Sequence, residues 1–377
     1  MASKRVASNS RKPFSPNWRN ILFVIPSHLM GVTAYPLYVW LGGGFAWVDL
    51  GIFLGMYALS AIGICIGYHR GFTHRAFSSN AIVRFLGLFG GAAAGEGSAL
   101  SWCSDHRRHH QNEDTDEDPY NVKRGFWWAH MGWMLGSPTT TEFSNVKDLA
   151  ENRMIKNQSD YYIVWFALSS FVLPTLVGAM FDRALAGLLC GGFLRLFCIN
   201  HATFFINSWA HYFGSQTYSI RCTARDSWIL AFLTWGEGWH NYHHRFPFDY
   251  RNGPRTYDWD PGKWMIYGFS KLGWCWNLKQ TPEVEILKAK METAKLKEPA
   301  VASPLLTDLE AKVLKAYQTW NQIHLSWNQK DVVNKVLQSR EWKTSRRALK
   351  QARKDFFKLY FRWKREFEMG LRTQIRA

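Results

Sequence analysis

Residues 46–74 read AWVDLGIFLGMYALSAIGICIGYHRGFTH, an apolar run that passes without a break into a pair of histidines. A helix needs about 20 apolar residues to cross roughly 30 Å of hydrocarbon. The stretch from Ala46 to Gly67 therefore predicts a membrane-spanning helix with imidazoles at its mouth. Three further runs have the same length and character: Ile21 to Leu41, Tyr161 to Phe181, and Ala184 to Asn207. The links at 42–45 and 182–183 leave room only for tight hairpins between antiparallel helices. Ile82 to Leu100 is also apolar but holds Gly87, Gly90, Gly91, Gly95 and Gly97, with Arg84 and Glu96 near its ends. If it crossed, the histidines on its two sides would face opposite compartments, so it reads as a re-entrant or interfacial piece buried by protein. The expected fold is all-α: an integral membrane four-helix transmembrane bundle with a helical cytoplasmic cap.

Charge divides the chain further. The net charge is +17 over 377 residues, and 11 of those charges fall in 278–377, where 22 Lys/Arg face 11 Asp/Glu. That segment is rich in Lys, Glu, Leu and Ala, is interrupted at Pro282, Pro299 and Pro304, and reads as a basic helical tail. Residues 1–20 form a basic leader with Lys4, Arg5, Arg11, Lys12 and Arg19 and no acid, which places the N-terminus in the cytoplasm. An even number of crossings places the C-terminus there too, and 21–277 is expected to be the membrane domain. Six cysteines without a C-x-x-C exclude a zinc ribbon and a disulfide scaffold. The basic charge is expected to meet lipid or protein, not nucleic acid.

Eight of the 13 histidines fall into three groups. His69 and His74 form an H-x4-H pair after the second run. His106, His109 and His110 form H-x2-H-H before the third, and His240, His243 and His244 repeat that spacing after the fourth. Residues i, i+3 and i+4 share one helix face, so each H-x2-H-H can aim three imidazoles at one point. Eight imidazoles exceed what one four-coordinate zinc uses, which implies two metals. Imidazole suits iron, zinc, copper and nickel alike, so ligand type does not choose among them. Asp114, Asp116, Glu117 and Asp118 read as a solvated loop or as groups that orient ligand histidines.

Four blocks carry a resemblance: GYHRGFTHRAF at 67–77, SDHRRHHQNEDTDEDPYN at 104–121, NSWAHYFG at 207–214 and WGEGWHNYHHRFPFDYRNG at 235–253. Over roughly Arg19 to Gln280 the chain resembles the membrane fatty-acid desaturases of the stearoyl-CoA (delta-9) type, with a lean toward bacterial members. The resemblance implies a di-iron centre held by His69, His74, His106, His109, His110, His211, His240, His243 and His244, with Asn207 bound through water. It implies an O2-dependent enzyme that inserts a cis double bond, at delta-9, into a saturated acyl chain. Before the second histidine group only Asp105 matches the headgroup contacts of the acyl-CoA enzymes, so acyl-CoA, acyl-phospholipid and acyl-carrier protein all stay open as substrates.

Phe53 and Tyr57, one helical turn apart, are candidates for the floor of an acyl tunnel, and the ionisable Arg195 inside the fourth run is a candidate substrate contact. No cytochrome b5 signature or cysteine-rich iron–sulfur pattern is present, so electrons are expected from a separate ferredoxin-like or cytochrome b5-like protein. The basic tail could dock such a donor or rest on anionic lipid. A membrane fatty-acid or alkane hydroxylase is the nearest rival, and a histidine-rich membrane metal-binding protein is the non-enzymatic one. Block identity favours the desaturase. The bacterial inner membrane is preferred to the endoplasmic reticulum.

Overall fold

The computed structural model describes residues 14–136, 142–301, 303–334 and 340–375; Lys4, Arg5, Arg11 and Lys12 lie outside them. Four helices are long and apolar enough to cross a membrane: Trp18–Gly43, Trp47–Thr73, Tyr162–Ala179 and Ala184–Tyr212. The second and fourth outrun their apolar segments, because their last turns carry histidines that the protein itself buries. Over Ile62–Thr73 the second helix widens to the i→i+5 form, and the His74 amide donates to the His69 carbonyl at 3.1 Å. Wide turns of this kind gather at functional sites.

The segment expected at 82–100 divides in two. Ala81–Ala93 is a helix of 13 residues, about 20 Å long at 1.5 Å per residue, too short to span. It breaks where Gly95 (φ +72°) and Gly97 (φ +99°) take left-handed conformations, and a second helix, Ala99–Gln111, follows with Ser98 as its N-cap. The first of these helices lies almost backbone to backbone against the second span. A Cβ at Gly63 would fall 1.9 Å from the Gly91 amide nitrogen, and one at Gly67 would fall 2.6 Å from the Gly87 Cα.

Arg195 fixes the end of that helix. It is fully buried in the fourth span and donates to the carbonyls of Gly191 (2.9 Å), Ala93 (2.5 Å) and Ser170 (3.3 Å). Asn200 adds a 2.7 Å bond to the Ala94 carbonyl. A cation at a helix C-terminus satisfies both the orphan carbonyls and the dipole. At the other end of the bundle, Arg183 donates to both carboxylate oxygens of Asp49 (2.7 and 2.6 Å), and the Tyr35 hydroxyl donates to Asp49 at 2.8 Å. These bonds tie the first two spans to the link between the third and fourth.

The chain divides into two compact units, Met1–Ser215 with Cys222–Gln280, and Gln216–Arg221 with Thr281–Ala377. The second holds the helices Glu283–Lys297, Pro304–Asn334 and Arg340–Ile375. Its core is Met291, Val301, Leu306, Leu309, Val313, Phe356 and Trp363, with Trp320 stacked on Phe356 at 5.5 Å.

Candidate metal centre

The histidine groups converge as two sets of ring nitrogens. His69, His74, His106, His110 and His243 form one, and His109, His211, His240 and His244 the other. Every element supplying them ends at this place: the wide turn of the second span, the helix Ala99–Gln111, the last turn of the fourth span, and the short helix His240–Arg245. Within the first set His243 Nε2 lies 3.0 Å from both His69 Nε2 and His110 Nε2. Within the second, His240 Nε2 lies 3.1 Å from His211 Nε2 and 2.9 Å from His244 Nε2. The Nε2 atoms of His74, His106 and His109 are buried without a hydrogen-bond partner. Buried polar atoms are normally satisfied, so nine inward-facing Nε2 atoms fit two metal ions and little else.

Protonation suits that reading. Burial, reinforced by the neighbouring imidazoles, holds His74, His106, His110, His240, His243 and His244 far below the ordinary imidazole value, leaving them neutral with lone pairs to offer. Burial works against charge on His109 as well, but Asp118 beside it raises its pKa.

The outward Nδ1 atoms show why Nε2 faces in. His109 Nδ1 donates to Asp118 at 2.8 Å, His244 Nδ1 to Glu113 at 2.5 Å, and His69 Nδ1 to Glu237 at 2.7 Å. His211 Nδ1 donates to the Thr223 hydroxyl at 2.8 Å, which in turn donates to Asp114 at 2.7 Å. An Nδ1–H held this way fixes the tautomer that presents Nε2 to a metal. Of the four loop acids expected to orient histidines or face solvent, Asp118 acts directly and Asp114 through Thr223, whereas Asp116 and Glu117 are exposed. Glu113, Thr223 and Glu237 were not singled out by the sequence reading; an acid next to each histidine block is the signal for Glu113 and Glu237.

A cavity reaches both sets. Its wall includes His69, His106 and His240, the apolar Ile64, Trp102, Trp133, Met134, Phe204 and Ile206, and the polar Glu96, Asp105, Thr203, Asn207 and Glu237. Ile64, Thr203 and Ile206 also line a second cavity, which extends to Tyr57, Ala61 and Trp235. Asp105, Asn207 and Tyr57 thus face cavities. Phe53 lies outside the lining, its ring 6.1 Å from that of Tyr57, and Arg195 is engaged entirely by carbonyls and the Ser60 hydroxyl. His130 and His201 bond each other at 3.0 Å and belong to neither ligand set.

The family profile described as "Fatty acid desaturase" matches residues 45–261. The chain belongs to that family. Acyl-CoA desaturase 1 of Saccharomyces cerevisiae is 39% identical over 304 residues, 78% of this chain and 58% of that protein. A probable acyl-CoA desaturase of Schizosaccharomyces pombe is 44% identical over 235 residues, 62% of this chain and 49% of that protein. The sn-1 stearoyl-lipid 9-desaturase of Anabaena variabilis is 32% identical over 275 residues, 72% of this chain and 97% of that protein. The chain spans about half the length of the two yeast relatives. Membership in this desaturase family makes the four apolar helices those of an integral membrane protein.

Proposed function

We propose that this protein is an O2-dependent fatty-acyl desaturase that inserts a cis double bond at delta-9. The observation that carries the reading is the meeting of two imidazole sets with one largely apolar cavity. The expected metals are two iron ions, held by the nine histidines, with Asn207 bound through water. Such a pair supplies the oxidising power that unactivated methylenes demand. The balance is –CH2–CH2– plus O2, two electrons and two protons giving –CH=CH– and two waters.

The residues of this chain select which methylenes react. Ile64, Phe204 and Ile206 give the acyl chain a dry wall, and Trp102, which donates to Glu96 at 3.0 Å, forms a fixed surface beside His106. Holding the chain in one register beside the metals is the larger part of the protein's work. Tyr57, its hydroxyl donating to the Leu233 carbonyl at 2.8 Å, serves as the floor, with Phe53 packed behind it. Asp105, in the wall of the first cavity, is the candidate contact for the headgroup end. Acyl-CoA is the favoured substrate, following the yeast relatives, with acyl-lipid and acyl-carrier protein as alternatives. Electrons come from a separate ferredoxin-like or cytochrome b5-like protein, and the site faces the cytoplasm along with both termini.

The test is a fatty-acid profile by gas chromatography and mass spectrometry, with double bonds located, in a host lacking its own desaturase. New cis monoenes that vanish in His240→Ala are the expected result. Hydroxylated chains would overturn the desaturase reading in favour of a hydroxylase.

A further inference from the structure

Among the five histidines of the first set, His69 stands in an unusual setting. Its Nδ1 donates to Glu237 Oε2 at 2.7 Å, and Asn252 Nδ2 donates to the same oxygen at 2.6 Å. The other oxygen, Oε1, accepts from Arg70 Nε at 3.2 Å and Nη2 at 2.9 Å. Arg70 is also paired through Nη1 with Asp260 Oδ1 at 2.8 Å. Asp260 in turn caps the helix Pro261–Lys271 and accepts from the amides of Asn252 (2.9 Å) and Gly253 (3.1 Å). His69, Arg70, Glu237, Asn252 and Asp260 are all buried. The carboxylate therefore has no freedom to turn away from the imidazole.

We propose that Glu237 is the positioning residue of the five-histidine set, fixing the His69 tautomer and ring plane so that Nε2 faces the metal. This rests on the two-metal reading above and goes beyond it by making the two metals unequal. The second set is backed by Asp118 on His109 and Glu113 on His244, and the closest carboxylate contact in the first set is Glu237, locked by Arg70 and Asn252, with Glu113 3.6 Å from His110 Nδ1. A carboxylate behind a ligand imidazole raises its basicity as well as orienting it, and losing such a partner typically costs about 10- to 100-fold in metal affinity. Arg70 keeps Glu237 ionised and in place, so the anion needed behind His69 does not stand alone in a buried site.

The test is metal titration of the full-length protein in detergent, stripped of metal and loaded with Co2+, read by its visible spectrum and by metal per chain. Wild type should take up two equivalents. Glu237→Gln should weaken one equivalent about 10- to 100-fold and change its ligand-field band, with the other equivalent unaltered. Asn252→Ala, which leaves the carboxylate but removes one of the two donors to Oε2, should weaken the same equivalent by less, and Asp118→Asn should weaken the other one. Two equivalents bound by Glu237→Gln with wild-type affinity and spectrum would overturn the proposal. So would loss of both equivalents in Glu237→Gln with none disturbed in Asn252→Ala, since that pattern belongs to a general folding defect. A wild-type chain that accepts only one equivalent would sink the two-metal reading itself, which separates that failure from this one.

Discussion

The membrane unit and the C-terminal helical unit bury very different things. The first encloses charged and polar side chains throughout its functional end: nine histidines around two centres, an Arg70–Glu237–Asp260 chain, and Arg195 among carbonyls. The core of the second is aliphatic and aromatic, and ion pairs such as Lys312–Asp308 lie on its exposed face. Burying a polar group costs free energy unless it is fully partnered. The unit that accepts that cost repeatedly is the one that carries the proposed reaction. The core of the other is apolar, so its stability should respond to volume and not to protons or metals.

Acid should separate the two most sharply. In the metal-free protein, six histidines of the two sets are held below their ordinary value, whereas in the unfolded chain they titrate near 6.5. The folded state then binds fewer protons than the unfolded state, so stability is full above about pH 6.5 and falls below it. Each such histidine contributes about 1.4 kcal/mol per pH unit at most. Hydrogen exchange from pH 8 to 5 should show the membrane unit loosening in acid well before the C-terminal unit; equal loosening of both would break the contrast.

Phe356→Ala tests the other side. Removing a buried phenylalanine costs about 3–5 kcal/mol, and the loss should appear as faster exchange confined to the helices Pro304–Asn334 and Arg340–Ile375, with metal content unchanged. Metal lost along with it would break the contrast between the two units.

Tyr57→Ala is a smaller perturbation within the membrane unit. Opening the floor of the second cavity should shift product toward longer chains at nearly unchanged total turnover, as a competition between saturated substrates of different length would reveal. An unaltered product profile would remove Tyr57 from that role.

The subtlest change is Glu96→Gln. Burial pushes the Glu96 carboxyl up to about 7. Folded above its unfolded value, the group adds stability that is fully present at low pH and is lost as pH rises through 7. Wild type should therefore show an inflection near pH 7 in the KM for acyl substrate. The Gln variant, which keeps an acceptor for Trp102, should be flat.

Much of this was legible before any coordinates. Hydrophobic length is a local property, so four spans could be drawn from the sequence, and H-x2-H-H announces a shared helix face by spacing alone. What escaped notice was built by distant parts of the chain. Arg70 and Glu237 are 167 positions apart, and only the folded structure pairs them behind one histidine. Arg195 drew attention as an expensive residue within a span, but its purpose depends on the C-terminus of a helix 102 positions earlier. Tyr57 and Phe53 looked equivalent as an i, i+4 pair, yet only one of them faces a cavity. The H-x4-H pair was the least explained of the histidine groups, because residues five apart do not share a face of an ordinary α-helix.

The wide turn at Ile62–Thr73 resolves that last point. A helix of this form accommodates one residue more per turn than its neighbours, as though a single codon had been inserted into a regular span. Rewinding the segment as an ordinary α-helix with every residue kept would turn His74 by about 100° away from His69, whereas taking out one residue between them, for instance Gly71, would give i, i+4 spacing and leave the two on one face. Either change would keep the hydrophobicity of the span to within one residue, and it would look intact to any reading based on composition. Winding is thus a form of information separate from residue identity: here the wide turn is what lets an H-x4-H spacing act as a pair.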